Sequence, residues 1–171
     1  MQSTITPLYS MSIATPLGPM LAIADDSGLY LLEFADQPSL AREMAFLKKS
    51  LKTDIISGTS SILNKIESEI KNYFENKNDR FKTPYYLMGS AFQKSVWQQL
   101  IHIPLGETQS YGGVAKSLNY PTAYRAVANA NSTNRLAIMI PCHRVIHSNG
   151  QLGGYAGGIA RKKWLLAHEK N

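Results

Sequence analysis

Cys142 is the only cysteine in a chain of 171 residues, and His143 and Arg144 follow it directly. A thiol attacks as its thiolate, and a neighbouring imidazole is a base suited to taking that proton near neutral pH. The reading without chemistry is also open, because a lone cysteine beside an apolar run such as residues 136–140 is usually a small buried hydrophobe. Two features point the other way. Pro141 interrupts any regular ladder, which places Cys142 at a turn rather than within a strand. Glu169, near the end of the last predicted helix, offers a carboxylate able to orient a histidine. Adjacent side chains diverge, so a proton path from Cys142 to His143 calls for a water. Arg144 reads as an ion-pair partner bracing the turn, with phosphate contact as the alternative.

His102, His147 and His168 show no metal-cage spacing and read as ordinary polar residues. A single cysteine excludes an internal disulfide and a multi-thiolate zinc site, so neither metal nor cofactor is expected. The run Gly153-Gly154-Tyr155-Ala156-Gly157-Gly158 cannot hold regular structure. It is either a plain surface bend or a loop whose backbone approaches a flat ligand, with Tyr155 as a wall.

These residues need elements to position them. Short apolar runs at 9–14, 19–24 and 29–34, separated by turn residues, predict an antiparallel meander. Helices are predicted over 39–51 and 62–74, the second with Ile62, Ile66, Ile70 and Phe74 on one face. Residues 1–88 thus read as an α/β scaffold: a small antiparallel sheet plus helices. A polar stretch at 76–82, with Pro84 and Gly89, marks the linker. Residues 89–171 read as a mainly α domain. Ser90-Ala91-Phe92-Gln93 is a capping box opening a helix to about Ile101. Short helical segments at 110–118 and 122–131 flank Asn119-Tyr120-Pro121, the punctuation of a helix-turn-helix. Residues 145–147 predict a short strand entering a turn. The helix over 159–169 carries Arg161, Lys162 and Lys163 on its polar side.

Charge separates the halves. Residues 1–89 carry nine Lys/Arg and ten Asp/Glu, whereas residues 90–171 carry nine and two. The whole net charge of +6 therefore comes from the second half, as a phosphate-binding surface requires. No apolar run reaches membrane-spanning length, and residues 1–9 lack the pattern of a secretory signal. A cytoplasmic protein is expected, with no membrane association and no obligate protein partner.

The run from Ile138 to Ile146, centred on Pro141-Cys142-His143-Arg144, resembles the active-site signature of the O6-alkylguanine-DNA alkyltransferases. Phe92-Gln93, Val96-Trp97, Ile103-Pro104, Gly106, Ser110-Tyr111, Arg125-Ala126-Val127, Tyr155, Gly157-Gly158 and the stretch from Trp164 to Glu169 fall in the family's order. The resemblance covers residues 90–169 and is looser before them, and the length is that of short bacterial members. It implies irreversible, single-use transfer of an alkyl group from O6-alkylguanine, and from O4-alkylthymine, in double-stranded DNA to Cys142. The target nucleotide is flipped out of the duplex. By position, His143 matches the base acting through water, Glu169 the group that orients it, and Asn134 the brace of the turn. Tyr111 matches a proton or hydrogen-bond donor to the base. Tyr155, Ala156, Gly157 and Ile140 match the substrate pocket. Arg125 matches the side chain that fills the gap in the duplex. Tyr124, Ala126, Ala128 and Asn129 lie with it on a recognition helix facing the minor groove.

Several residues depart from the family pattern. Ala156 stands in place of Ser, Arg135 in place of Pro, and Tyr124, Ala128 and Asn129 in place of smaller residues, which bears on duplex affinity and alkyl preference. Zinc-bearing members use ligands in their first half, where this chain has no cysteine. Two other classes share parts of the pattern. A DNA-binding sensor without chemistry would use the same basic half, but such relatives lack the cysteine. A cysteine hydrolase would turn over.

Overall fold

The computed structural model describes residues 6–171, which divide into two compact units between Leu87 and Met88. In the first unit, strands β1 (Leu8–Ile13), β2 (Met20–Ala24) and β3 (Leu29–Phe34) form the predicted antiparallel meander. A fourth strand, β4 (Ile55–Ser57), was not legible in the sequence. It pairs parallel to β1, so the sheet is mixed, in the order β3-β2-β1-β4. Three residues are too few to show a period of two, and parallel pairing to β1 is what orders them. Helices α1 (Leu40–Leu51) and α2 (Ser61–Asn76) complete the unit. Ile62, Leu63, Ile66, Ile70, Tyr73 and Phe74 form the buried face of α2. The Ser60 side chain caps its first turn by accepting from the Leu63 amide.

The second unit is helical. Its first helix, α3 (Ala91–Leu100), starts at the predicted capping box: Ser90 accepts from the Gln93 amide while the Gln93 side chain accepts from the Ser90 amide. It buries Val96, Trp97 and Leu100, and the Trp97 indole donates to the Ala130 carbonyl at 2.8 Å. That bond ties α3 to α5 (Tyr124–Ser132). Between them runs α4 (Tyr111–Ser117), capped by Ser110. The turn from α4 to α5 passes through Asn119 at φ +64°, a left-handed position that Asn tolerates better than most residues. A two-stranded parallel pair, β5 (Gln109–Ser110) with β6 (Val145–Ile146), lies on either side of this helical pair in sequence. The last helix, α6 (Ile159–Lys170), ends the unit. No helix among the described residues is long and apolar enough to cross a membrane.

One sequence expectation fails here. Lys162 does not share the exposed face of α6 with Lys163; it is fully buried. Amphipathic counting assigns every lysine to water, and what overrides it is a pair of backbone carbonyls waiting inside the unit.

Candidate active site

The segment before the cysteine is not a strand. Residues 136–140 fold into consecutive tight turns, with the Met139 amide bonded to the Ala137 carbonyl and the Ile140 amide to the Leu136 carbonyl. Ile138 takes φ +70°, a conformation that a β-branched side chain adopts only under constraint, at a cost of about 1–3 kcal/mol. Asn134 supplies that constraint. Its Nδ2 donates to the Ile140 carbonyl at 2.9 Å, and its Oδ1 accepts from the Leu136 amide at 3.0 Å. Arg135, on its other flank, donates from Nη1 to the Met88 carbonyl at 2.6 Å. Pro141 then leads into one 3₁₀ turn, Cys142–Arg144, as a proline-interrupted ladder requires.

Cys142 is only 4% exposed, and the small opening it has faces a cavity of about 310 Å³. Tyr111, Ala128, Asn131, Ser132, His147, Tyr155 and Ala156 line that cavity with it. The volume is at the lower end of small-ligand pockets, which run from roughly 300 to 1,000 Å³, and suits one planar base. Asn131 Nδ2 donates to the Cys142 carbonyl at 3.2 Å and so holds the nucleophile's backbone from α5.

Behind the cysteine lies a buried charged cluster. His143 Nε2 is 2.7 Å from Glu169 Oε2, and both side chains are essentially inaccessible to solvent. A carboxylate can only accept, so Nε2 carries the ring proton and Nδ1 is the basic nitrogen. Nδ1 has no hydrogen-bond partner among the described residues. Arg144 binds the same carboxylate through Nε at 2.7 Å and Nη2 at 3.0 Å, and donates from Nη1 to the Ile103 carbonyl at 2.7 Å. Burial opposes ionisation of Glu169, but hydrogen bonds from His143 and Arg144, reinforced by the arginine charge, override it and hold the carboxyl down to about 2. Burial pushes the His143 imidazole below its ordinary value, against the pull of Glu169, so the ring is a neutral base. Burial and the nearby Cys142 push the Tyr111 phenol up, which keeps its proton in place as a donor.

The structure gathers Cys142, Tyr111, Tyr155, Ala156 and Ala128 around one cavity and stacks His143, Glu169 and Arg144 behind it. Ile140 and Gly157 are not on the cavity wall. Ile140 is buried with its carbonyl on Asn134, and the Gly157 carbonyl accepts from Arg161 Nη1 at 3.1 Å. Tyr124, Arg125, Ala126 and Asn129 form an exposed face of α5, with the Arg125 guanidinium 5.9 Å from the Tyr124 ring centre. Sequence reasoning missed Asn131, Ser132 and His147 on the wall. His147 was set aside as ordinary, yet its ring lies 5.1 Å from that of Tyr111. Its place directly after β6 does not show this, because the contact is tertiary. No cluster of His, Cys, Asp and Glu fit to hold a metal occurs among the described residues.

Residues 91–171 match the family described as 6-O-methylguanine DNA methyltransferase, DNA binding domain. The methylated-DNA–protein-cysteine methyltransferase of Methanosarcina mazei is 38% identical over 167 residues, which cover 96% of this chain and 98% of that one. The protein of the same name from Mycobacterium leprae is 37% identical, with 96% and 93% covered. In three dimensions, the crystal structure of Mycobacterium tuberculosis OGT in complex with DNA superposes with a TM-score of 0.82 at 35% identity, over 95% of this chain and 92% of that one.

Proposed function

Because the chain belongs to the 6-O-methylguanine DNA methyltransferase family, we propose that it repairs DNA by taking the alkyl group of O6-alkylguanine onto Cys142, once per molecule. The observation that carries this reading is a thiol opening only into a base-sized cavity, backed by a neutral histidine oriented through a buried carboxylate.

The chemistry follows from the geometry. His143 Nδ1 takes the Cys142 proton through a water, and the thiolate attacks the alkyl carbon in line with the O6–carbon bond. That bond breaks as the sulfur–carbon bond forms. Tyr111, held protonated, donates to the departing base, which leaves as neutral guanine after regaining a proton. The thioether does not hydrolyse, so nothing regenerates the thiol. Because Cys142 is inside a cavity and O6 is inside a stacked duplex, the nucleotide must be flipped out to react. The exposed face of α5 supports this step: it acts as the recognition helix of a helix-turn-helix, with Arg125 filling the vacated stack and Tyr124, Ala126, Ala128 and Asn129 along the minor groove. O4-alkylthymine, smaller and flat, fits the same cavity.

The test is mass analysis of intact protein and of its peptides after incubation with O6-methylguanine duplex DNA. One methyl group per chain on Cys142 is expected, with none acquired by Cys142→Ala. Repeated turnover, or methyl on any other residue, refutes the proposal.

A further inference from the structure

Cys142, 4% exposed, is deep in its cavity, and the rim of that cavity is made by other residues. Of the residues lining it, Ser132 at the end of α5, His147 after β6 and Gly154 in the glycine-rich loop are the exposed ones. Their polar groups are not equally available. The Ser132 hydroxyl donates to the Asn129 carbonyl at 2.8 Å, and the Gly154 carbonyl accepts from Lys162 Nζ at 3.1 Å. The His147 imidazole has no hydrogen-bond or ion-pair partner among the described residues.

That imidazole is nonetheless held in place. The His147 amide donates to the Gln151 carbonyl at 2.8 Å, and the His147 carbonyl accepts from the Gly150 amide at 3.0 Å, so a closed turn fixes its backbone. Its ring lies 5.1 Å from the Tyr111 ring, and a Cβ added at Gly153 would lie 3.3 Å from Nε2. A ring already confined by α4 and the loop loses little freedom when it binds something. An imidazole donates one N–H when neutral and two when protonated, so it offers a donor in either state. No Asp or Glu lines the cavity, so no carboxylate there repels an anion.

The substrate brings an anion to this rim. In guanine, O6 is carried by the six-membered ring, and N9, which bears the sugar, belongs to the five-membered ring. With O6 against the buried thiol, N9 and its sugar come out at the rim, and the phosphates on either side of the sugar follow. Phosphate and sugar receive most protein–DNA hydrogen bonds, and these contacts set position without reading sequence. Resting on the alkyl-transfer reading, we infer that His147 grips a phosphate beside the flipped nucleotide and so holds the alkylated base against Cys142. A free base brings no phosphate, and on it this grip has nothing to act on.

The experiment measures single-turnover transfer by wild type and by His147→Phe, which keeps a ring against Tyr111 and removes both nitrogens. The substrates are O6-methylguanine duplex DNA, the same duplex with a neutral methylphosphonate on one or the other side of the lesion, and free O6-benzylguanine. Folding is checked by thermal unfolding, and His147→Ala replaces the Phe variant should that one not fold. The variant's rate on unmodified duplex should fall roughly tenfold further than its rate on the free base, the size of one hydrogen bond to a charged group. Neutralising the gripped phosphate should cost wild type about as much, and the variant less than about threefold, because the contact is already gone. Equal losses on duplex and free base overturn the proposal. So does a methylphosphonate cost that is the same in both proteins at both positions. Wild-type protein that takes no alkyl group from the unmodified duplex refutes the underlying function instead.

Discussion

Replacing Glu169 by Gln removes one negative charge and leaves the shape of the side chain intact. In the folded protein that carboxylate accepts from His143 Nε2 and from Arg144 Nε and Nη2, all within 3.0 Å. An amide can accept through one atom only, so at least one of these donors is stranded, and Arg144, 2% exposed, is left as a buried charge on the Ile103 carbonyl. Breaking a buried ion pair from one side costs about 3–5 kcal/mol. A second route gives a similar figure: a carboxyl held at about 2 against an ordinary 4.5 prefers its charged form by about 3 kcal/mol in the folded state. The sign follows from linkage. The folded value is depressed, so this stabilisation is complete above pH 4.5 and is lost as pH falls through about 2. Both tryptophans, Trp97 and Trp164, lie in the second unit, so their fluorescence reports on this unit in urea unfolding. Wild type should be about 3 kcal/mol more stable than Glu169→Gln at pH 7, with the gap closing towards pH 2. Transfer by the folded variant should fall by roughly 10²-fold or more, because His143 loses the partner that fixes its tautomer. Equal unfolding midpoints would refute the electrostatic reasoning. A large stability loss with an unchanged transfer rate would show that the His143–Glu169 pair is architecture and not part of the reaction.

Two further outcomes are expected. Arg125→Ala should impair repair in duplex DNA by more than about tenfold while sparing the reaction with free O6-benzylguanine, since Arg125 is exposed on α5 and does not line the cavity; equal losses in the two assays would remove its proposed gap-filling role. Asn134→Ala strands the buried Leu136 amide, at about 1–3 kcal/mol, takes one of two donors from the Ile140 carbonyl, which keeps the Cys142 amide, at about 1 kcal/mol, and frees Ile138 to leave φ +70°; urea unfolding should show a loss of about 2–4 kcal/mol, and a loss under about 1 kcal/mol would mean the turns hold without it.

What the sequence showed and what it hid divide along a physical line. Local chemistry was legible. The Ser90 capping box, the buried face of α2 and the turn forced by Pro141 each depend on residues a few positions apart, and each formed where the spacing places it. An ion pair for Arg144, rather than phosphate contact, was legible, but its partner Glu169 was not. The features that failed to show are those whose partners are distant in the chain. Strand β4 exists because β1 is beside it, 47 residues earlier at the Leu8 and Ile55 pairing. Lys162 is inside because two carbonyls, 8 and 17 residues away, accept from it. Asn131 and His147 reach the cavity only because α5 and the segment after β6 meet around Cys142. No periodicity in the sequence encodes those encounters.

The buried charges also say what this unit is organised for. Arg144, Lys162 and Glu169 are each at most 6% exposed, and with His143 neutral they leave one uncompensated positive charge in the interior. Stability alone would not select such an arrangement, because well-packed apolar residues in place of a buried ion pair are often neutral or stabilising by about 1–4 kcal/mol. Placing the surplus charge on Lys162 changes the account. Glu169 is taken up by His143 and Arg144, while Lys162 donates to the Val145 and Gly154 carbonyls and has the Tyr111 ring 5.9 Å away. A thiolate formed at Cys142 would enter an interior with a surplus of positive charge. Such a surplus would lower the cost of ionising Cys142, which is the pattern expected where burial and charge are arranged for chemistry.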